Sequence, residues 1–316
     1  IAMWLRLGLL LLGACWGHAG WAQAEPTEAE PGPWLRKSSL IGIPLVFYSP
    51  ETRLGGGGGG VFAFRFRGED SLSRASQLQL LAAYTQERQI LAYLPFRLFW
   101  QNERHTLYGE IGYYRYTYFF WGIGNDLPAS NREAFDVTFP RLRLHYQHQW
   151  LPDLYAGFLF HLDDYRVTAT ESGGLLADPA RAIAGREGGL VSAPGLIVTF
   201  DRRDNLFFPA EGAFAEATLQ VNGPATGSDF RYLRYTLDAA TYLPVWREHV
   251  LALNAYGEFI HGEAPFQALA LLGGGRRLRG YYEGRYRDKR YLALQAEYRA
   301  PLFWRLGLNA FVAWGG

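Results

Sequence analysis

Sulfur is nearly missing from this chain: its one cysteine, Cys15, and its one methionine, Met3, both lie before residue 25. Beyond them no disulfide framework and no thiolate metal site is available. Charge is sparse too, at 19% of residues with a net charge of +1, so there is neither a basic field for nucleic acid nor an acidic tail. After the N-terminus no run comes near the ~20 consecutive apolar residues of a spanning helix, which excludes a helical membrane protein. The mean hydropathy of -0.12 excludes less, because strands that alternate between lipid and lumen have an equally unremarkable average.

What the chain does have is aromatic side chains, 16% of its residues, and a marked start. Arg6, the apolar run 7–12 and the small-x-small triplet Ala22-Gln23-Ala24 predict a secretory signal over residues 1–24. Leu12-Gly13-Ala14-Cys15 is an alternative cleavage site of the lipoprotein type, which would leave Cys15 lipid-modified. Residues 25–40 then form a short N-terminal segment on the periplasmic side, and a period of two sets residues 41–316 apart.

That period is clearest from Ala213 to Asn222. There Ala213, Ala215, Ala217, Leu219 and Val221 share one face, while Phe214, Glu216, Thr218, Gln220 and Asn222 share the other. The first face suits lipid and the second a wet lumen. The same pattern recurs in Leu154 to Asp163 and in Leu251 to Phe259. In Phe135 to Trp150 the apolar parity changes at Pro140, which predicts a bulge there. Short connections, at 101–104, 151–153, 244–248 and 300–303, interleave with long ones at 120–132, 170–188 and 262–290. Segregation of loop length by end is the habit of a transmembrane barrel, with short turns in the periplasm and long loops outside. The expectation is an all-β, antiparallel transmembrane barrel with about 13 strands present, eleven of them before the longest loop. Aromatic clusters such as Tyr113-Tyr114 and Tyr118-Phe119-Phe120-Trp121 are expected to form interfacial girdles. Because Gly316 follows a strand directly, about three more strands are expected downstream.

Two runs carry a resemblance. Gly273-Gly274-Gly275-Arg276-Arg277-Leu278-Arg279-Gly280-Tyr281 looks like the Arg-Gly-Tyr/Phe motif of the long sixth external loop in BamA/TamA-type bacterial surface antigen barrels. Asp201-Arg202-Arg203-Asp204, followed by Pro209 and Gly212, is similar to that family's Asp-x-Arg-Asp…Pro-x-x-Gly hairpin. The resemblance covers about 41–316. It implies a barrel of an expected 16 strands whose sixth loop folds into the lumen and carries Arg279 to the inner wall. Glu297 has inward parity on its strand and is the expected partner. The next strand reads Phe311-Val312-Ala313-Trp314-Gly315 where the family usually has Phe-x-Asp-x-Gly, so Ala313 stands where a second carboxylate is expected. Residues 25–40 are too few for a periplasmic POTRA domain, which suggests the POTRA-less branch.

The remaining constellations point away from catalysis. Gly55 to Gly60 lacks the Gly-Lys-Ser/Thr of a phosphate cradle and reads as a closely approached strand. Asp201 with Asp204, and Asp163 with Asp164, have the composition of acid/base or calcium pairs, but the former pair sits in a short hairpin beside Arg202 and Arg203, where turn-stabilising ion pairs suffice. His145 and His148 have opposite parity, so they do not share a metal. The basic residues Arg276, Arg277, Arg279, Arg285, Arg287, Lys289 and Arg290 read as lumen filling with carboxylate partners, with lipopolysaccharide or solute contact as the alternative. The expectation is a bacterial outer-membrane barrel for insertion or translocation of proteins or lipids. Its expected partners are outer-membrane lipids, lipopolysaccharide and client outer-membrane or secreted proteins, with no nucleic acid, cofactor, metal or enzymatic activity. A passive channel and an outer-membrane phospholipase-type esterase are the alternatives.

Overall fold

The computed structural model describes residues 35–316 apart from 50–51, 71–72, 206–207 and 304–305. The expected signal with Cys15, and residues 25–34 of the segment after it, lie outside the described residues.

One antiparallel sheet of 13 strands dominates. Its first six strands are β1 (Leu35–Ser49), β2 (Arg53–Phe66), β3 (Ser76–Thr85), β4 (Ile90–Trp100), β5 (His105–Phe120) and β6 (Glu133–Leu151). The next five are β7 (Leu154–Thr170), β8 (Gly188–Asp201), β9 (Gly212–Asn222), β10 (Arg231–Trp246) and β11 (His249–Glu263). Two short strands, β12 (Ala270–Leu272) and β13 (Tyr286–Asp288), pair as a separate hairpin inside the next connection, before β14 (Arg290–Phe303) and β15 (Leu306–Gly315) complete the sheet. Each wall strand pairs with the next wall strand along the chain, β11 with β14 across the long connection, and β1 and β15 are the edges of this sheet. Eleven wall strands precede the long connection and two follow it, as the alternation predicts. β1 already begins at Leu35, ahead of the expected boundary at 41.

The two faces differ as the period demands. Phe158 and Val312 are 66% and 68% exposed on the outside, while Tyr155, Asp163 and Gln220 are buried within. A water-soluble sheet would not leave so continuous an apolar face bare; a sheet standing in hydrocarbon must.

No bulge forms at Pro140. Register runs unbroken from Tyr113↔Pro140 to its neighbours, and the irregularities against β7 lie at Asp136/Val137 and Gln149/Leu151. Odd residues point inward along all of β6, from Phe135, Val137 and Phe139 to Gln147. What changes at Pro140 is the lumen: its long-loop end is apolar because the loops fold into it. For the same reason Phe120 and Trp121 are buried in the packing of those loops and do not form a girdle. Exposed Trp150, Trp246 and Phe303 stand instead at the short-turn end.

Gly55 to Gly60 occupy β2, between β1 and β3. Only some of them need to be glycine. A Cβ at Gly57 would overlap the Ala82 carbonyl oxygen, whereas one at Gly58 would meet nothing nearer than the Ile43 carbonyl oxygen at 3.6 Å. Gly57→Ala is therefore expected to destabilise the barrel by roughly 1–3 kcal/mol through forced separation of β2 from β3, and Gly58→Ala to change little. The temperature at which the folded barrel loses its compact gel migration measures both, and equal behaviour of the pair contradicts the close approach.

Candidate functional site

The connection 264–289 turns back into the lumen. Its first part packs Phe266 and Leu269 against Phe120, Phe135 and Phe139, residues of the wall strands β5 and β6. Apolar burial alone would let such a loop slide, but polar contacts fix its position. Arg234 of β10 donates to the Ala268 carbonyl and lies 3.4 Å from Glu258. Gln267 donates to Gly185 O at 2.8 Å, joining this loop to the one between β7 and β8.

Arg287 fastens the other arm. Its guanidinium donates to Phe266 O and Phe119 O, each at 3.2 Å, and stacks on the rings of Phe120 and Phe266 at 5.0 and 5.5 Å. Burial pushes this arginine down to about 10, still well above neutral pH, so the cation is held by carbonyl dipoles and aromatic faces. Arg285 works likewise on Leu127 O at 2.6 Å and on Tyr286 at 4.4 Å. The expectation of carboxylate partners therefore fails for these two. They sit under the long loops, where the carbonyls of Leu127, Phe266 and Phe119 are in reach.

At the loop tip the structure brings Arg279 and Glu297 together, Nη2 to Oε2 at 2.5 Å. Where the second carboxylate is missing, the guanidinium lies 4.3 Å over the Phe311 ring. Glu297 also accepts from Arg299 at 2.7 Å, and Arg299 in turn donates to Pro209 O at 3.0 Å. Sequence reasoning treated the loop motif and the hairpin motif separately; Arg299 links them. Gly280 has φ +127°, which lets the chain reverse beside the exposed Tyr281, whose ring is 6.1 Å from that of Tyr286. Gly315 on β15 is bare because Leu278 packs directly over it and Leu292 O is close behind.

Arg277 has the carboxylate partner expected of the basic loop, at a residue that sequence reasoning did not name. It donates to Asp238 at 2.6 Å and lies 3.3 Å over the Tyr256 ring. Gln295 holds the backbone on both sides of it, accepting from Leu278 N at 3.2 Å and donating to Arg276 O at 3.1 Å.

In the hairpin between β8 and β9, Arg203 grips Asp201 through two bonds of 2.7 and 2.8 Å. Asp204 accepts from the backbone of Ala210 at 3.0 Å and of Glu211 at 3.1 Å, and Gly212 takes φ +104° where a Cβ would overlap Arg202 O. Deeper in the lumen Asp163 receives Arg141 at 2.6 Å and Arg143 at 3.3 Å, while Asp164 pairs outward with Arg166. His145 meets His161 at 2.7 Å, not His148, because adjacent strands set them side by side. Bonds such as Tyr108 to Glu216 at 2.8 Å and Gln147 to Thr199 at 2.8 Å cross between strands that are not neighbours.

Comparison with known proteins gives a consistent picture. Residues 190–316 match the Omp85 superfamily domain. Over 88% of its length the fold is similar to that of BamA from Haemophilus ducreyi, solved lacking POTRA domains 1-3, with a TM-score of 0.54 at 16% identity. The present chain spans 57% of that chain.

Two outcomes follow from this geometry. Glu297→Ala strands the inward Arg299 and is expected to cost on the order of 3 kcal/mol. Arg279→Ala, with its side chain 41% exposed, is expected to cost roughly 1 kcal/mol or less. Thermal gel migration ranks the two, and an unaffected Glu297→Ala barrel removes the linkage from the structural account. Asp204 is held below its ordinary carboxylate range by the backbone N–H of Glu211, aided by that of Ala210. Its contribution is thus complete above an unfolded value of ~3.9 and is lost as pH falls through the lower folded value. Amide exchange in 208–212 should be slow at pH 7 and speed up below pH 4 beyond the intrinsic trend, a change absent from Asp204→Ala.

Proposed function

We propose that the chain is a barrel of the Omp85 kind, whose domain model matches residues 190–316, and that it acts at the bacterial outer membrane to insert or translocate proteins or lipids. The observation that carries this reading is the loop 264–289, tied across the lumen by Arg277, Arg279 and Arg287. A passive channel works through an open bore. With the bore crossed by a fastened loop, the surfaces left for work are the wall and its edges.

The edge strand β1 supports the same reading. Leu40, Val46 and Tyr48 on one parity and Ile41 and Ile43 on the other are all at least half exposed, so both faces tolerate hydrocarbon. Its neighbour β2 presents glycine from Gly55 to Gly60, and a strand without side chains specifies register weakly. Such an edge can part from its neighbour and receive a client strand at small cost. Clients would be outer-membrane or secreted proteins, with outer-membrane lipid or lipopolysaccharide as the alternative cargo.

Vesicles containing the chain are expected to show little conductance and to accelerate the folding of an added, urea-unfolded β-barrel client several-fold. Arg277→Ala with Arg279→Ala should raise the conductance. Steady conductance from the unaltered chain without any effect on client folding replaces this reading with a passive channel.

A further inference from the structure

We propose that the outer wall over β9, β10, β11, β14 and β15 holds one anionic glycerophospholipid of the periplasmic leaflet, its phosphate at Arg247 and an acyl chain in the groove above. The inference rests on the reading of this sheet as a membrane wall. It begins with a defect in that wall. A groove of about 670 Å³ runs across the outer face, almost wholly apolar. Its floor is alanine: Ala215, Ala239 and Ala255 are opposed directly on three adjacent strands. Leu294 and Trp314 continue the same row and rise as its far bank. Away from the glycines of β2, the outer face carries large side chains such as Phe158 and Leu196. Small side chains in a membrane wall let a partner approach the backbone closely, and a chain lying in the dent gains dispersion contact on several sides.

The second observation is independent and says what the partner is. On the same face as Ala296, two positions nearer the short-turn end, stands Tyr298. Its hydroxyl meets His249 Nδ1 at 2.7 Å, the His249 and Trp246 rings are 5.0 Å apart, and Arg247 lies 4.7 Å over Trp246. Arg247 is exposed in the turn between β10 and β11 and forms no ion pair among the described residues, its neighbour Glu248 included. Its inward counterpart Arg299 is bound to Glu297. Tryptophan and tyrosine sit at headgroup depth, and a free guanidinium there pairs with phosphate through two parallel bonds. From Tyr298 to Leu294 the strand runs roughly 13 Å, at ~3.3 Å per residue, which at a tilt of ~40° is about 10 Å of depth, within the ~15 Å of hydrocarbon in one leaflet. Short turns mark the periplasmic end, so the lipid belongs to the leaflet on that side.

Native mass spectrometry of the full chain in detergent, with equal amounts of phosphatidylglycerol and phosphatidylcholine bearing the same acyl chains, reads the site. One retained phosphatidylglycerol is expected, favoured about fivefold, the factor that one interfacial cation supplies. Arg247→Gln should erase the headgroup preference. Ala239→Phe, or Ala255→Leu if the first variant does not fold, should lower retention of both lipids several-fold. Equal retention of the two lipids, or a preference that survives Arg247→Gln, overturns the proposal. A chain that inserts into vesicles and speeds client folding without lipid preference sinks this inference alone. A chain that never inserts sinks the membrane reading with it.

Discussion

Hydrocarbon accepts no hydrogen bonds, so every backbone N–H and C=O that crosses a bilayer must find its partner within the protein. A sheet meets that demand only through unbroken ladders between neighbours, and this constraint shapes the whole molecule. The pairing of β5 with β6 runs without slip from His105↔His148 to Phe120↔Glu133. Once ladders of this length are imposed, side chains have two destinations, and the chemistry of the lumen follows from the exclusion of charge from the other side.

Charges gathered inside a narrow lumen must in turn be satisfied, and the protein does this at two depths by different means. Near the short-turn end and in the middle, arginines meet carboxylates: Arg141 with Asp163, Arg277 with Asp238, Arg279 and Arg299 with Glu297. Under the external loops, where Phe120, Phe135 and Phe266 make an apolar cap, Arg287 and Arg285 meet carbonyl oxygens and ring faces instead. An ion pair buried in that cap would have carried a heavier desolvation cost than carbonyl dipoles already present at strand and loop ends. The loop is thus held by contacts of two kinds, one to the wall and one to the neighbouring loops.

Much of the fold was legible because alternation is a local property. Glu216 against Ala215, or Asp163 against Leu162, declares its side from two adjacent letters. The Asp201–Arg203 pair was equally readable, since both partners lie in one turn. Pro140 misled because apolarity was equated with lipid, and the apolar residues Phe135, Val137 and Phe139 face an inward-folded loop. The aromatic cluster ending at Trp121 misled for the same reason. The Arg279–Glu297 contact came from resemblance and parity together. Arg277 with Asp238, and His145 with His161, required knowledge of which strands and loops are neighbours in space.

By itself, then, the amino-acid order determined the number of wall strands, the face each residue takes and the place of the long loops, because those depend on a two-residue period and on turn-forming segments. The tertiary structure alone decided how the loop lies in the lumen, which arginine meets which acceptor, and where alanines of separate strands align into a groove above Arg247. These depend on strand register and on close approach between segments far apart in the chain, and no local pattern encodes a distance across the barrel.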